Sequence, residues 1–238
     1  MSGLIESATS ILSTSEKRVD IIARNVANIS TPGFKRQIGF QKFIAAAQNN
    51  LDQRAEPQVA IRREFLQGTI TPTDNPLDIA ISGEGFFQLR ADDAMIYSRQ
   101  GQFTRATNGA VVNAQGHVLQ QAGGGDLIID SGAVSILEDG TVLNNGVPIA
   151  RLEAVAASNP SAIKPFGDTA FAITGDATDV VPNAVFRQGM IENSNVVIGD
   201  EMVAMMVALR QSEGGARLVQ VYDDLLGRAL TTLGQSGR

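Results

Sequence analysis

The 238-residue sequence has no cysteine and no tryptophan, a single histidine and two tyrosines. Without cysteine there are no disulfides and no thiolate chemistry. One histidine, His117, leaves little room for imidazole-activated nucleophiles and none for a multi-histidine metal centre. No apolar run exceeds the eight residues Met202 to Leu209, far short of the roughly 20 that span a bilayer. Direct membrane insertion is therefore not expected. Positive charge is scarce as well: 19 Lys and Arg against 25 Asp and Glu, a net charge of −6. A nucleic-acid backbone calls for a basic face, so no nucleic-acid partner is expected. The first fifteen residues carry no Lys or Arg, and Glu, Ser and Thr interrupt them. A cleaved secretory signal is not expected from that pattern.

What is present is a globular composition, 43% apolar and 18% charged, with 24 glycines and 8 prolines. That balance fits a turn-rich β body. At the N-terminus, apolar residues recur at Ile5, Ala8, Leu12, Val19, Ile22, Val26 and Ile29, with Ser15 the one polar member. Steps of three and four over that length mark an a/d seam. Leu4, Ile11 and Ile21 widen it, and Thr31-Pro32 ends the helix. At the other end, Met202, Met205, Leu209, Ala216, Val219, Leu226, Leu230 and Leu233 share one register, with Gly214-Gly215 expected to weaken or bend the helix. Between the helices, Leu77 to Ile81 alternates with period two. Short strands are expected over 97–105, 110–113, 117–120, 127–129 and 150–156. Asn108-Gly109, Asp139-Gly140 and Asn145-Gly146 are expected as type I′ turns. Phe40 to Asn49 suits a short helix and Gln53 to Gln58 a linker.

These patterns predict an α+β fold. Long N- and C-terminal helices pair as a coiled coil, and a central antiparallel β-rich domain lies between them in sequence. Four zones follow: 1–34, 35–69, 70–190 and 191–238. Neither seam is stable alone. Pairing one with the other leaves Leu4, Ile11 and Ile21 to be covered by neighbouring subunits. Contacts that are heterologous and do not close generate a helical filament. A charge at Val19 is expected to leave the β body folded and to abolish assembly.

Candidate chemistry is thin. Gly83-Glu84-Gly85 lacks the Lys and Ser/Thr of a phosphate loop and reads as a strand turn, and Gly123-Gly124-Gly125-Asp126 reads as a loop. Adjacent carboxylates such as Asp92-Asp93 and Asp223-Asp224 point apart, which argues against a shared acid–base site. The Met202, Met205 and Met206 group suits adaptable packing. No catalytic residue, metal site or cofactor is expected. An enzyme or a secreted binding module is the rival class.

Residues 24–36 read RNVANISTPGFKR. Asn25 and Asn28 either cap the last helical turn or tie neighbouring chains through amide hydrogen bonds. Gly33 suits a backbone conformation costly for other residues. Phe34 suits a packing anchor, and Lys35 and Arg36 suit a solvated face. The segment resembles the N-terminal signature of the flagellar rod and hook family, matched at Asn25, Asn28, Thr31, Gly33, Phe34 and Lys35. Three further segments resemble the same family in the same order: Pro76 to Leu89 (PLDIAISGEGFFQL), Tyr97 to Gln120, and Gln188 to Met205 (QGMIENSNVVIGDEMVAM), the last carrying Glu192, Ser194 and Asn195. After Arg210 the family shows an aromatic followed by Glu. Here Gln211-Ser212-Glu213 keeps the Glu and loses the ring.

The resemblance implies a structural component of the bacterial flagellar basal body, in a rod that spans the periplasm. It implies self-assembly and contact with adjacent rod subunits. It also implies delivery by the flagellar type III export apparatus without a cleaved signal. Its assembly residues would be Ile5, Leu12, Val19, Ile22 and Val26 against Met202, Met205, Leu209, Val219 and Leu226. Phe34 and Leu77 lie only 43 positions apart. That interval favours a proximal type of rod subunit over the distal type, and the total length leaves no room for a hook protein's outer domains.

Overall fold

A computed structural model describes residues 2–43, 57–159, 162–174 and 178–235. The N-terminal heptads form helix α1, Ser2–Ala27. Two tight turns follow, with Thr31 N–H donating to Asn28 O at 3.1 Å and Phe34 N–H to Thr31 O at 3.2 Å. Pro32 keeps Thr31 out of the helical region, so the helix stops here. Strands β1 (Gln37–Phe43) and β2 (Pro57–Arg63) then pair antiparallel, from Gln37 opposite Arg63 to Phe43 opposite Pro57. The helix expected over Phe40 to Asn49 is thus a strand as far as Phe43, and 44–49 lie outside the described residues. The expected linker shows its end, Pro57 and Gln58, as the start of β2, and 53–56 likewise lie outside. Val59 and Ile61 alternate in β2, and long-range pairing outweighs the ambiguous local pattern.

The β region runs through β3 (Ile70–Pro72), β4 (Ile79–Ser82), β5 (Phe87–Ala91), β6 (Ala94–Ser98), β7 (Thr104–Arg105), β8 (Val111–Val112) and β9 (Val118–Leu119). It continues through β10 (Val134–Ile136), β11 (Thr141–Asn144), β12 (Val147–Arg151), β13 (Val155–Ala157) and β14 (Ile163–Phe166). The last strands are β15 (Ala170–Ile173), β16 (Thr178–Val180), β17 (Val185–Gln188) and β18 (Met190–Glu192), and the chain ends in helix α2, Ile198–Gln235. Every described strand pair is antiparallel. The largest sheet has the order β14-β15-β6-β5-β9-β8-β7; β10-β11-β12 form a second, and β13-β16, β17-β4 and β18-β3 are two-stranded. Helices at the two ends and an antiparallel β-rich middle make this an α+β fold.

Several sequence expectations change in detail: the strand expected over 97–105 is interrupted between Ser98 and Thr104, and that over 150–156 between Arg151 and Val155. Only Asn145-Gly146 has left-handed backbone at both central residues, φ 52° and 80°, and it alone is the type I′ hairpin turn, joining β11 to β12. At Asn108-Gly109 and Asp139-Gly140 only the glycine is left-handed. Residues 127–129 form no strand; Ile128 makes an isolated bridge to Ala110. In β4, Ile79, Ala80 and Ile81 are all buried, so the strand is covered on both faces.

By contact the chain divides into two compact units. The helical unit comprises α1, the β1–β2 ribbon and α2; the β unit comprises Asn28–Lys35 and Phe65–Asn195. The β unit closes around one apolar core that includes Phe87, Leu89, Ile96, Val111, Leu119 and Val142.

In the helical unit α1 and α2 lie side by side. Arg18 Nη1 donates to Gln211 Oε1 at 3.0 Å, and Gly215 sits against Ile11 and Leu12. On α1, Ala8, Ser15 and Ile22 are buried and Leu12, Val19 and Val26 half-buried, while Ile5 is exposed. Ile21, expected to await a neighbouring subunit, is already buried, and a Cβ on Gly39 of β1 would lie 2.9 Å from its Cδ1. The ribbon therefore covers it within the chain. On α2 the less exposed positions are Glu201, Ala204, Met205, Ala208, Ser212, Gly215, Val219, Tyr222 and Leu226; Met205, Ser212, Val219 and Leu226 keep the expected register, while Glu201, Ala208, Gly215 and Tyr222 each stand one position before the expected Met202, Leu209, Ala216 and Asp223. Met202 and Leu209 point outward, at 59% and 48% exposure. At Gly215 the helices approach closely, where a Cβ would lie 3.1 Å from Leu12 Cγ. The helix runs unbroken through Gly214-Gly215, where a bend was expected. The side chains of Leu4, Leu230 and Leu233 lie outside the described residues. Among the described residues, no helix is long and apolar enough to cross a membrane.

Candidate functional site

The signature segment gathers its residues around two buried carboxylates, one in each unit. In the β unit, Gly33 has φ 72°. A Cβ there would overlap the backbone of Arg99 and Gln100, so both the torsion and the space demand glycine. Its N–H donates to Glu192 O at 2.8 Å. Phe34 is wholly buried. Lys35 is buried to 1% exposure, contrary to the solvated position expected for it. Its Nζ donates to Glu192 Oε1 at 2.6 Å and to Leu66 O at 2.7 Å.

Glu192, also 1% exposed, accepts two further bonds: Gly68 N–H at 2.9 Å on Oε1 and Arg99 Nη1 at 3.0 Å on Oε2. Arg99 in turn donates to Ile81 O and Gly83 O and lies over the Phe86 ring, 5.7 Å from its centroid. The cluster holds two cations and one anion out of water. Backbone carbonyls and a ring face offset the surplus positive charge. Burial pushes both the Lys35 ammonium and the Arg99 guanidinium below their ordinary values, against the pull of Glu192. Removing one member of such a buried group typically costs about 3–5 kcal/mol.

In the helical unit the carboxylate is Glu201, in the first turn of α2, where a negative charge is favoured by the helix dipole. It accepts from Arg36 Nε at 2.5 Å and from Asn25 Nδ2 at 3.2 Å. Burial works against the Arg36 charge, but the hydrogen bond and charge of Glu201 prevail and raise its pKa. Asn25 clamps the start of β1: Nδ2 donates to Gln37 O and Oδ1 accepts from Gln37 N–H, both at 2.8 Å. It thus ties a helix to a strand of its own chain. Lys35 and Arg36, neighbours in sequence, each neutralise a carboxylate in a different unit.

The remaining signature residues have smaller parts. Asn28 Oδ1 accepts from Thr31 Oγ1 at 3.1 Å. Asn195 Nδ2 donates to Leu66 O at 3.1 Å, the carbonyl that also receives Lys35. Ser194 is half-buried. Sequence reasoning missed Arg99 and Glu201. Arg99 lies in the Tyr97 to Gln120 segment, but nothing near it in sequence marks a buried charge partner; Glu201 had a signal, a three-four spacing to Met205 and Ala208.

Every group gathered here holds a segment in place, which is the work of a structural protein. Three family models match the chain in succession: "Flagella basal body rod protein" over residues 5–35, "Flagellar hook protein FlgE/F/G D1 domain" over 80–144, and "Flagellar basal body rod FlgEFG protein C-terminal" over 187–232. The chain is 30% identical to the flagellar basal-body rod protein FlgF of Caulobacter vibrioides, over 93% of this chain and 94% of that one. It is 29% identical to FlgG of Borreliella burgdorferi, over 93% and 95%, and 27% identical to FlgF of Rhizobium meliloti, over 93% of each. The chain belongs to the flagellar basal-body rod protein family. Its relatives are structural proteins of the rod, and it is a structural protein rather than an enzyme.

Proposed function

We propose that the chain is a proximal-type subunit of the basal-body rod, and that it assembles helically through its terminal helices and transmits torque. The observation that carries this reading is the outer surface of α2. Met202, Val203, Met206, Val207, Leu209, Leu218, Val221 and Leu225 are each roughly half exposed, while the inner register is also largely apolar. Over Met202 to Leu209 the helix is apolar on all sides, and such a stretch belongs in a packed interior, which neighbouring subunits would supply. The repeats along α1 and α2 support their pairing as a coiled coil. Delivery through the flagellar type III export apparatus, with adjacent rod proteins as further partners, completes the reading.

The proximal type is supported by gap content. The same 93% of this chain aligns over 230 positions with the Caulobacter FlgF and over 254 with the Borreliella FlgG, so the FlgG type carries more inserted residues. The near-equal identities keep the distal type as the second reading.

The test is Val207→Asp. The purified variant keeps the parent's melting temperature, because the residue is exposed in the lone chain. Basal bodies from cells carrying it in place of the parent lack this section of rod, and the cells do not swim. Intact rods containing the variant would refute the assignment.

A further inference from the structure

The Lys35–Glu192–Arg99 cluster has a second consequence, set by where its members lie in the sequence. Lys35 belongs to the segment that follows α1, whereas its carboxylate partner among the described residues comes 157 residues later. Arg99, already present in the β unit, is a cation. A chain that has folded as far as β17 but has not placed β18 would therefore bring the Lys35 ammonium into an apolar site that already holds a positive charge. Both burial and like-charge repulsion oppose that step. Once β18 pairs with β3, Glu192 lies opposite Ile70, and its carboxylate neutralises the site.

We propose that this cluster is a folding-order lock: residues 28–35 dock on the β unit only after Glu192 is in place, so the N-terminal signature stays undocked until the chain is nearly complete. Local bonds alone do not hold the segment. Inside it the backbone makes the Thr31-to-Asn28 and Phe34-to-Thr31 turns, and Gly33 N–H reaches out to Glu192 O. Phe34 would favour early docking by its burial; Lys35, adjacent to it, forbids docking without the counter-charge. A chain synthesised N-terminus first thereby keeps the segment free until its last strand arrives. The lock acts within one chain and stands apart from the assembly reading above.

The experiment is amide hydrogen exchange on the full-length chain, at equilibrium and by pulse labelling during refolding. Thr31 and Phe34 report docking, Asn193, whose N–H donates to Thr69 O, reports arrival of β18, and Val111 and Leu127 report the core. In the parent chain, Thr31 and Phe34 gain protection together with Asn193 and after Val111 and Leu127. In Glu192→Gln, Thr31 and Phe34 exchange at least tenfold faster at equilibrium, while in refolding Val111 and Leu127 still gain protection at the parent's rate. Adding Lys35→Met to that variant restores protection at both positions. Lys35→Met alone lets Thr31 and Phe34 become protected ahead of Asn193. The proposal fails if the parent docks the segment before Asn193 is protected, or if Lys35→Met leaves the order unaltered. It also fails if Val111 and Leu127 no longer gain protection during refolding of Glu192→Gln, for the cluster would then be needed to form the core itself.

Discussion

In the β unit, Leu89, Ile96, Val111 and Val142 are entirely buried, whereas on α2 the largest apolar side chains, from Met202 to Leu225, stand about half in water. Both regions are built from comparable amounts of Val, Leu, Ile and Met. The β unit folds its apolar stripes onto one another and is finished as a single molecule. The helical unit sets alanine, serine and glycine among the larger residues of its internal seam and leaves Met202, Val203, Met206, Val207 and Leu209 outside. Burial of the core supports the first within one chain, while the outward side chains of the second still meet water, so a covering surface would add to its stability.

The contrast breaks most readily at Leu89. Leu89→Ala is expected to cost about 2–5 kcal/mol and to lower the melting of the β unit by many degrees, read by calorimetry. The equivalent truncation on the outer face of α2, Val221→Ala, is expected to change the lone chain by less than about 0.5 kcal/mol. Equal losses at the two positions would mean that α2 is already covered.

A smaller effect sharpens the picture of the seam. Gly214 has open space around it, while a Cβ at Gly215 would lie 3.1 Å from Leu12 Cγ and 3.2 Å from Ile11 Cγ2. Gly214→Ala is therefore expected to stabilise the helix by up to about 1 kcal/mol. At Gly215→Ala the crowding consumes that gain. Urea titration of the two variants separates them; identical shifts would show that the helices do not approach closely there.

The smallest effect belongs to acid. Arg90 grips Asp126 with Nε to Oδ1 at 2.9 Å and Nη2 to Oδ2 at 2.7 Å. That bond, with one from Gln120, holds the Asp126 carboxyl below its usual range. The unfolded chain binds the proton at higher pH than the folded one. The contribution is thus complete above the ordinary carboxylate pKa and is lost as pH falls through the folded value. Asp126→Asn is expected to give a flatter acid limb for the β unit below about pH 4, measured by thermal melts across pH. The pair is partly exposed, so the change is modest.

Much of this architecture is readable from residue spacing. The α1 seam from Leu12 to Val26 follows from threes and fours alone, and the strand–turn rhythm marks the β region. The α2 register is readable at Met205, Val219 and Leu226 but not at Met202 and Leu209, because the eye takes the biggest apolar residues as interior. Close approach at Gly215 reverses that preference, and Ser212 stands where the family carries a ring. Lys35 was equally hidden. A lysine beside a buried phenylalanine is ordinarily solvated, and nothing local signals that its counter-charge waits at Glu192. The turn types, too, depend on whether a residue such as Asn145 is driven into left-handed backbone by the hairpin it closes.

The β unit's long stretch enters at Phe65 and leaves at Asn195 through neighbouring antiparallel strands, with Met190 opposite Pro72 and Asn193 N–H bonded to Thr69 O. Its beginning and end emerge side by side, as in a cartridge with both terminals on one edge. Evolution or an engineer can enlarge, trim or exchange that cartridge, provided the replacement presents two adjacent chain ends, without rewriting either terminal helix.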